Sequence, residues 1–302
     1  MLAPDVTRTQ ASLQANADAA SAATNYAQAA VTAVPRVADP PDWFAPIQAD
    51  LTTAQAHAQN WITSICPAVT TGVPQGVIDF NATFQTQSGQ ILQIQQDIDG
   101  AGGQPTAAQR SSVNSLLQAL TGAFAGQAAN ISTLQGDIIG YAANIKSDQD
   151  ALQVDLGTVS NRFTKGGTWI QQLTAAIGDN FLNSTVLGPC TSIVEIDINI
   201  SLKVGGVQSD PTLITLIFAK AVLENQIANS EASQQAVQAI LDTWTTLKVK
   251  AEAVINDLKD AQDSAYLAIL SQIDLQTAQT QWQQLSDFAA GLLQTQSTPP
   301  DQ

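Results

Sequence analysis

Apolar residues recur at steps of three and four along two long stretches of the chain, one beginning at Val113 and the other at Leu213. This spacing places apolar side chains on one face of an α-helix, as in helical bundles and coiled coils. It predicts two very long helices. The first runs from Pro105 to about Leu182 with a weak point at Lys165-Gly166-Gly167, and the second runs from Pro211 to about Leu293.

Three shorter helices are predicted before the long ones, over residues 6–34, 43–64 and 77–98. Prolines separate them, because a proline breaks a helix interior but suits a first turn. Pro67 and the segment 70–74 are expected to interrupt or kink the second helix. The pattern therefore predicts an elongated all-α bundle of about five helices.

A different pattern lies between the two long helices. Six apolar residues alternate with polar ones such as Glu195 and Asp197: Val194, Ile196, Ile198, Ile200, Leu202 and Val204. A period of two indicates a half-buried β-strand, and Gly205-Gly206 after it is typical of a turn. We therefore expect a short β-tongue in a head of residues 183–210, with residues 1–182 and 211–302 forming the bundle. Because so short a connection reverses the chain, the long helices should be antiparallel.

Composition limits the possible partners. The net charge is −15, with 26 acidic and 11 basic residues, so neither nucleic-acid binding nor adsorption to anionic lipid through a basic patch is supported. Charged residues make up only 12% of the chain, and the polar faces consist of Gln, Thr, Ser and Asn. Such faces can be buried against another chain without desolvating charge. No apolar run of 18 residues occurs, and the first ten residues do not resemble a signal peptide.

Catalytic and metal-binding chemistry is not expected. His57 is the only histidine, and no set of residues resembles a zinc site, a phosphate-binding loop or a catalytic triad. We therefore expect no enzymatic activity, no metal and no cofactor. His57 is interpreted either as a structural residue or as a sensor of acidification. Asp148 and Asp150 are expected to be solvated charges on a helix surface.

Cys66 and Cys190 are the only cysteines. Measured along straight helices, they lie far more than the roughly 7 Å apart that a disulfide allows between Cα atoms. We therefore expect two unpaired, buried thiols, unless the chain folds back near Lys165–Gly167.

Several short motifs carry a family resemblance. They are the run Gln55-Ala-His-Ala-Gln-Asn-Trp61, the break at Pro67, the helix containing Ile78-Asp-Phe-Asn81 and Phe84, and the C-terminal residues Ala278, Trp282, Leu285 and Phe288. Together with the predicted architecture, the chain resembles α-helical pore-forming toxins of the cytolysin A type. It is most similar to the components of haemolysin BL and of the non-haemolytic enterotoxin, with Cry-type and binary insecticidal proteins as more distant relatives.

The resemblance implies a secreted or released toxin component that is a monomer in solution and an oligomer on the target-cell membrane. Members that insert into membranes on their own have a long apolar head, whereas this head carries Glu195, Asp197 and Lys203. The resemblance therefore implies one component of a multi-component toxin that needs partner subunits. The alternative interpretation is a non-lytic scaffold bundle of a secretion or surface apparatus.

The residues expected to contact the membrane or a partner are the six apolar strand residues and the apolar start of the second long helix, Leu213, Ile214, Leu216, Ile217 and Phe218. The strand is either an element released onto the membrane or a permanent cap on the helices, and insertion as a β-hairpin or as a helical head are both open. Gly166, Gly167, Gly205 and Gly206 are interpreted as hinges or as ordinary turn residues.

Overall fold

The computed structural model describes residues 2–32, 42–162 and 211–297, with side chains in the last segment described from Glu231 onward. The described residues form seven α-helices and contain no strand. The helices are α1 Val6–Thr32, α2 Ala45–Asn60, α3 Val73–Gly100, α4 Ala107–Arg162, α5 Pro211–Asp260, α6 Asp263–Ile273 and α7 Leu275–Ser297. This confirms the all-α prediction. The predicted strand and the four glycines interpreted as hinges lie outside the described residues.

The predicted interruption around Pro67 takes the form of two π-helical turns, Trp61–Ile65 and Ala68–Gly72. In the first turn the Cys66 backbone N–H donates to the Trp61 carbonyl, five residues back. Pro67 follows at once and has no N–H to donate, so a regular ladder of hydrogen bonds cannot pass through it. The wider π turns absorb this interruption without a loop.

The second long helix was predicted as one element, and this prediction is wrong. The segment is divided into three helices, α5, α6 and α7, with both breaks in its C-terminal part. Between α5 and α6, Gln262 has an extended backbone, and the Ala261 carbonyl accepts a 3.1 Å hydrogen bond from the Arg110 guanidinium. Between α6 and α7, Asp274 adopts a left-handed conformation with φ of 51°, and its carboxylate accepts from the Thr277 N–H at 3.2 Å. A carboxylate that caps the following helix stabilises such a break.

The contacts group the chain into two compact units. Unit 1 consists of Met1–Asn16, Thr70–Gln135 and Gln235–Thr298, and unit 2 consists of Ala17–Val69, Gly136–Gln234 and Pro299–Gln302. Within unit 1, α4 and α5 run antiparallel as predicted, because Arg110 contacts Ala261 while Gln135 near the other end contacts Gln238.

Five aromatic side chains form the core of unit 1. Phe80 lies at its centre, with ring centroids 4.5 Å from Trp282, 4.7 Å from Phe124 and 4.9 Å from Trp244, while Phe84 lies 6.0 Å away. All five are almost fully buried, so the expectation that Trp244 and Trp282 are core residues is confirmed. Rings at these separations add favourable edge and stacking contacts to the burial itself.

Polar side chains join α3 to α7 beside this core. Asn81 donates to the Gln283 side chain at 3.0 Å, Gln85 donates to the Gln279 carbonyl at 2.8 Å, and Gln279 donates to the Ser88 hydroxyl at 2.8 Å. These contacts use uncharged amide and hydroxyl groups. The helices α3 and α7 therefore associate through polar residues that do not have to desolvate a charge.

Candidate functional site

The residues predicted to form the head cannot be compared with the structure. Residues 194–204 lie outside the described part of the chain. Residues 213–218 form the first turns of α5, but their side chains are not described. Their role in contacting a membrane or partner therefore stays a prediction.

The described residues instead contain a row of titratable groups between α2 and α4 in unit 2. Asp50 and His57 lie seven residues apart on α2, and Tyr141, Asp148 and Asp155 lie seven residues apart on α4. Residues seven apart lie on the same face of a helix, so each helix presents one line of polar groups. We call the contact formed by these five residues the polar seam.

At the middle of the polar seam, His57 Nδ1 lies 2.7 Å from Asp148 Oδ2. The Asp148 side chain is 6% exposed and that of His57 is 31% exposed. Burial raises the pKa of Asp148 above its usual value, the hydrogen bond and charge of His57 lower it, and Asp50 raises it, with a net increase. The expectation that Asp148 is a solvated charge is therefore wrong: it occupies a buried position of the apolar stripe and faces α2. Asp150, two residues later, is exposed.

One heptad further along α4, Asp155 has no basic partner among the residues the structure describes. Its Oδ2 atom is buried and accepts no hydrogen bond from an N–H or hydroxyl group of the described residues. Burial raises the pKa of Asp155 to about 6, with further contributions from the charge of Asp50 and from a hydrogen bond between the two carboxyl groups. The negative charge of a neighbouring carboxylate favours the protonated form of Asp155.

One heptad in the other direction, Tyr141 is 2% exposed and its hydroxyl makes no hydrogen bond within the described structure. Burial, followed by the charge of Asp148, raises the pKa of Tyr141. The hydroxyl is therefore neutral at physiological pH. The Tyr141 ring packs against Trp61 with centroids 4.8 Å apart.

A buried polar contact beyond the polar seam connects α1 to the first π-helical turn. The Trp61 indole N–H donates to the Thr24 hydroxyl at 2.9 Å, and this hydroxyl lies 3.0 Å from Cys66 Sγ. All three residues are almost completely buried.

Cys66 is disulfide-bonded, so the expectation of unpaired thiols is wrong. That expectation measured helical rise along a straight helix predicted to continue to about Leu182, and residues 163–182 lie outside the described residues. The only other cysteine of the sequence, Cys190, lies outside the described residues.

The chemistry that this arrangement supports is proton binding. Among the described residues, no group of three or more His, Cys, Asp or Glu side chains could hold a metal ion. Within the same segments, no helix has the length and apolar character needed to cross a membrane. The polar seam was missed in the sequence because its two lines lie on helices far apart in the chain, with His57 and Asp148 separated by 91 residues. The heptad spacing within each helix was nevertheless a usable signal.

Comparison with solved structures finds several proteins with a similar fold. The HblL1 toxin component of Bacillus cereus has 12% identity and a TM-score of 0.67, with 97% of both chains covered. Motility Associated Killing Factor B of Vibrio cholerae has 16% identity and a TM-score of 0.71, covering 100% of this chain and 95% of that one. SmhA of the tripartite α-pore-forming toxin Smh of Serratia marcescens has 12% identity and a TM-score of 0.69, covering 100% and 98%. At these identities the likeness establishes the fold.

The family follows from the sequence. Residues 23–184, more than half of the chain, match the Bacillus haemolytic enterotoxin (HBL) family. The chain belongs to this family and is a toxin component. A comparison with curated proteins gives no match.

Proposed function

We propose that this chain is one component of a multi-component α-helical pore-forming toxin, and that it acts at a target membrane only together with partner subunits. The observation that carries the proposal is the match of residues 23–184 to the haemolytic enterotoxin family. The likeness over the whole chain to SmhA, a component of a tripartite toxin, supports it. In this role the chain acts outside the producing cell and has no catalytic function.

The polar contacts of unit 1 support assembly with other subunits. The three hydrogen bonds between α3 and α7 join Gln, Asn and Ser side chains to one another or to a backbone carbonyl, and none of them is an ion pair. Only 12% of all residues are charged, so much of the outer surface has the same chemistry as these internal contacts. Such a surface can be buried against a partner helix without the large cost of desolvating charges.

We propose that the head supplies the contact with the membrane or the partner. The apolar members of the alternating segment, from Val194 to Val204, and the start of α5, from Leu213 to Phe218, are the residues involved. Burying apolar area in lipid or at a subunit contact is favourable by about 25 cal/mol per Å². Glu195, Asp197 and Lys203 on the other face oppose insertion by this chain alone.

Dye release from vesicles tests the proposal. The purified chain is added alone and then together with the products of neighbouring genes. We expect release only from the mixture, and we expect the double variant Ile196→Asn, Ile198→Asn to abolish it. A double variant of the polar face, Asn199→Ser, Ser201→Asn, is the matched control and should keep full activity. Dye release by the chain alone would show that it forms pores without partners. No dye release from any mixture, over several lipid compositions, would favour the scaffold interpretation.

A further inference from the structure

The polar seam of unit 2 combines features that a purely structural helix contact does not need. It contains one ion pair, His57 with Asp148. One heptad away on either side, Tyr141 and Asp155 each have a buried polar atom with no N–H or hydroxyl partner in the described part of the chain. Leaving a buried polar atom unpaired costs about 1–3 kcal/mol. An apolar residue at position 155 would avoid that cost, so the carboxyl group there calls for an explanation.

The groups around Asp155 provide one. Of the described residues, Asp50 on α2 is the charged group that raises the pKa of Asp155. The pKa of Asp148 is lowered by His57 and raised by Asp50, and the charge of Asp148 raises the pKa of Tyr141. The geometry agrees, because Trp61 contacts Tyr141 while His57 contacts Asp148, so α2 and α4 run antiparallel along the polar seam. One further heptad on each helix places Asp50 opposite Asp155, with no cation between them among these residues. Two ionised carboxylates in this position repel each other, whereas a protonated Asp155 donates a hydrogen bond to Asp50.

We propose that Asp50 and Asp155 share one proton across the polar seam, so that the contact between α2 and α4 tightens on acidification and loosens at neutral pH. The polar seam is thus a proton-responsive clasp inside unit 2. It requires no ligand and no membrane, and it stands independently of the proposed toxin role.

The direction of the pH effect follows from linkage. Asp155 has a raised pKa, about 6, in the folded chain and the ordinary value of roughly 3.9 in an unfolded one. The folded state therefore binds the proton more tightly, and its stabilisation is complete below the unfolded pKa and is lost as the pH rises through about 6. Asp148, whose pKa is also raised, acts in the same direction.

Hydrogen exchange of the full-length chain tests the clasp when each rate is divided by the intrinsic exchange rate at that pH. Between pH 7.5 and pH 5, we expect protection of peptides from residues 45–60 and 141–155 to rise by on the order of tenfold. Peptides from residues 80–91 in unit 1 are the internal reference and should change little. Equal changes in both sets, or lower protection at pH 5, would overturn the proposal.

Variants separate proton sharing from a general effect of acid. Asp155→Asn keeps the shape of the side chain but cannot ionise, so its protection at residues 45–60 should be high at both pH values. Asp150→Asn, exposed on the same helix, is the matched control and should behave as the unmodified chain. A direct measurement follows the Asp155 carboxyl carbon by NMR, with an expected midpoint near 6. Asp50→Asn should lower that midpoint, and an unchanged midpoint would contradict proton sharing.

Discussion

The indole N–H of Trp61 donates a 2.9 Å hydrogen bond to the hydroxyl of Thr24, and both side chains are buried within unit 2. The same hydroxyl lies 2.8 Å from the Ala20 carbonyl and 3.0 Å from Cys66 Sγ. The Thr24 hydroxyl on α1 thus accepts the one hydrogen bond that the buried Trp61 side chain on the π-helical turn can donate. Buried Trp N–H groups usually need such a partner.

Replacing Thr24 with Val should therefore destabilise the chain by about 1–3 kcal/mol, because the shape is kept but the Trp61 N–H is left buried without an acceptor. Urea unfolding followed by Trp fluorescence measures this. Thr52→Val is the control, since Thr52 is exposed and bonds only its own helix. Equal stability of the two variants would show that the hydrogen bond does not matter for folding.

His57→Ala tests the ion pair of the polar seam. It leaves Asp148 buried without its partner, and the pKa of Asp148 should rise further because the lowering effect of His57 is lost. We expect the free energy of unfolding to fall by about 1–3 kcal/mol at pH 7. At pH 4.5 the decrease should be smaller, because burying a protonated Asp148 without a partner costs less free energy.

Unfolding of His57→Ala and of the unmodified chain at both pH values gives this difference. Gln59→Ala is the control, because Gln59 is exposed on the same helix. A loss that is the same at both pH values would mean that His57 stabilises unit 2 by packing alone.

The aromatic core of unit 1 gives a larger expected effect. Phe80 contacts four other aromatic rings and is 2% exposed, so Phe80→Ala should cost about 3–5 kcal/mol by lost burial and by the cavity it leaves. Phe80→Leu should cost less, because more of the volume is kept. Thermal unfolding measures both, with Val249→Ala as control at a position that is 58% exposed. A cost below 1 kcal/mol for the Ala variant would contradict a tightly packed cluster.

Helical periodicity was enough to predict the all-α fold, the antiparallel course of α4 and α5 in unit 1 and the burial of Trp244 and Trp282. It did not predict the breaks at Gln262 and Asp274. Buried apolar residues, among them Leu258, Tyr266, Leu270 and Ile273, continue on both sides of these breaks without Gly or Pro between them. The first break is stabilised by Arg110, about 150 residues away in sequence, and such a contact leaves no local signal.

The polar seam was only partly predictable. Asp148 stood out in the sequence as a polar residue within an apolar stripe, and His57 as the only histidine. Their pairing depends on the register of α2 against α4, which periodicity leaves open. Asp155 carried even less signal, because a carboxylate on a long helix is usually solvated and only its neighbours in the fold show that one of its oxygens is buried.

The last prediction concerns Cys66. Because it is disulfide-bonded and Cys190 is the only other cysteine of the sequence, we predict an intramolecular bond between these two residues. Thiol titration in denaturant should find no free thiol before reduction and two after it. In the chain-entropy model a bond that closes a loop of this length stabilises the folded state by about 4–5 kcal/mol, so reduction should lower the unfolding midpoint clearly.

Single and double serine variants identify the partner. Cys66→Ser and Cys190→Ser should each expose one reactive thiol and lose similar stability, and the double variant should lose little more, because either change alone already breaks the bond. A monomer band on a non-reducing gel confirms that the bond lies within one chain. Two reactive thiols in the unreduced, denatured chain would contradict the bond and restore the interpretation of Cys66 as a buried free thiol.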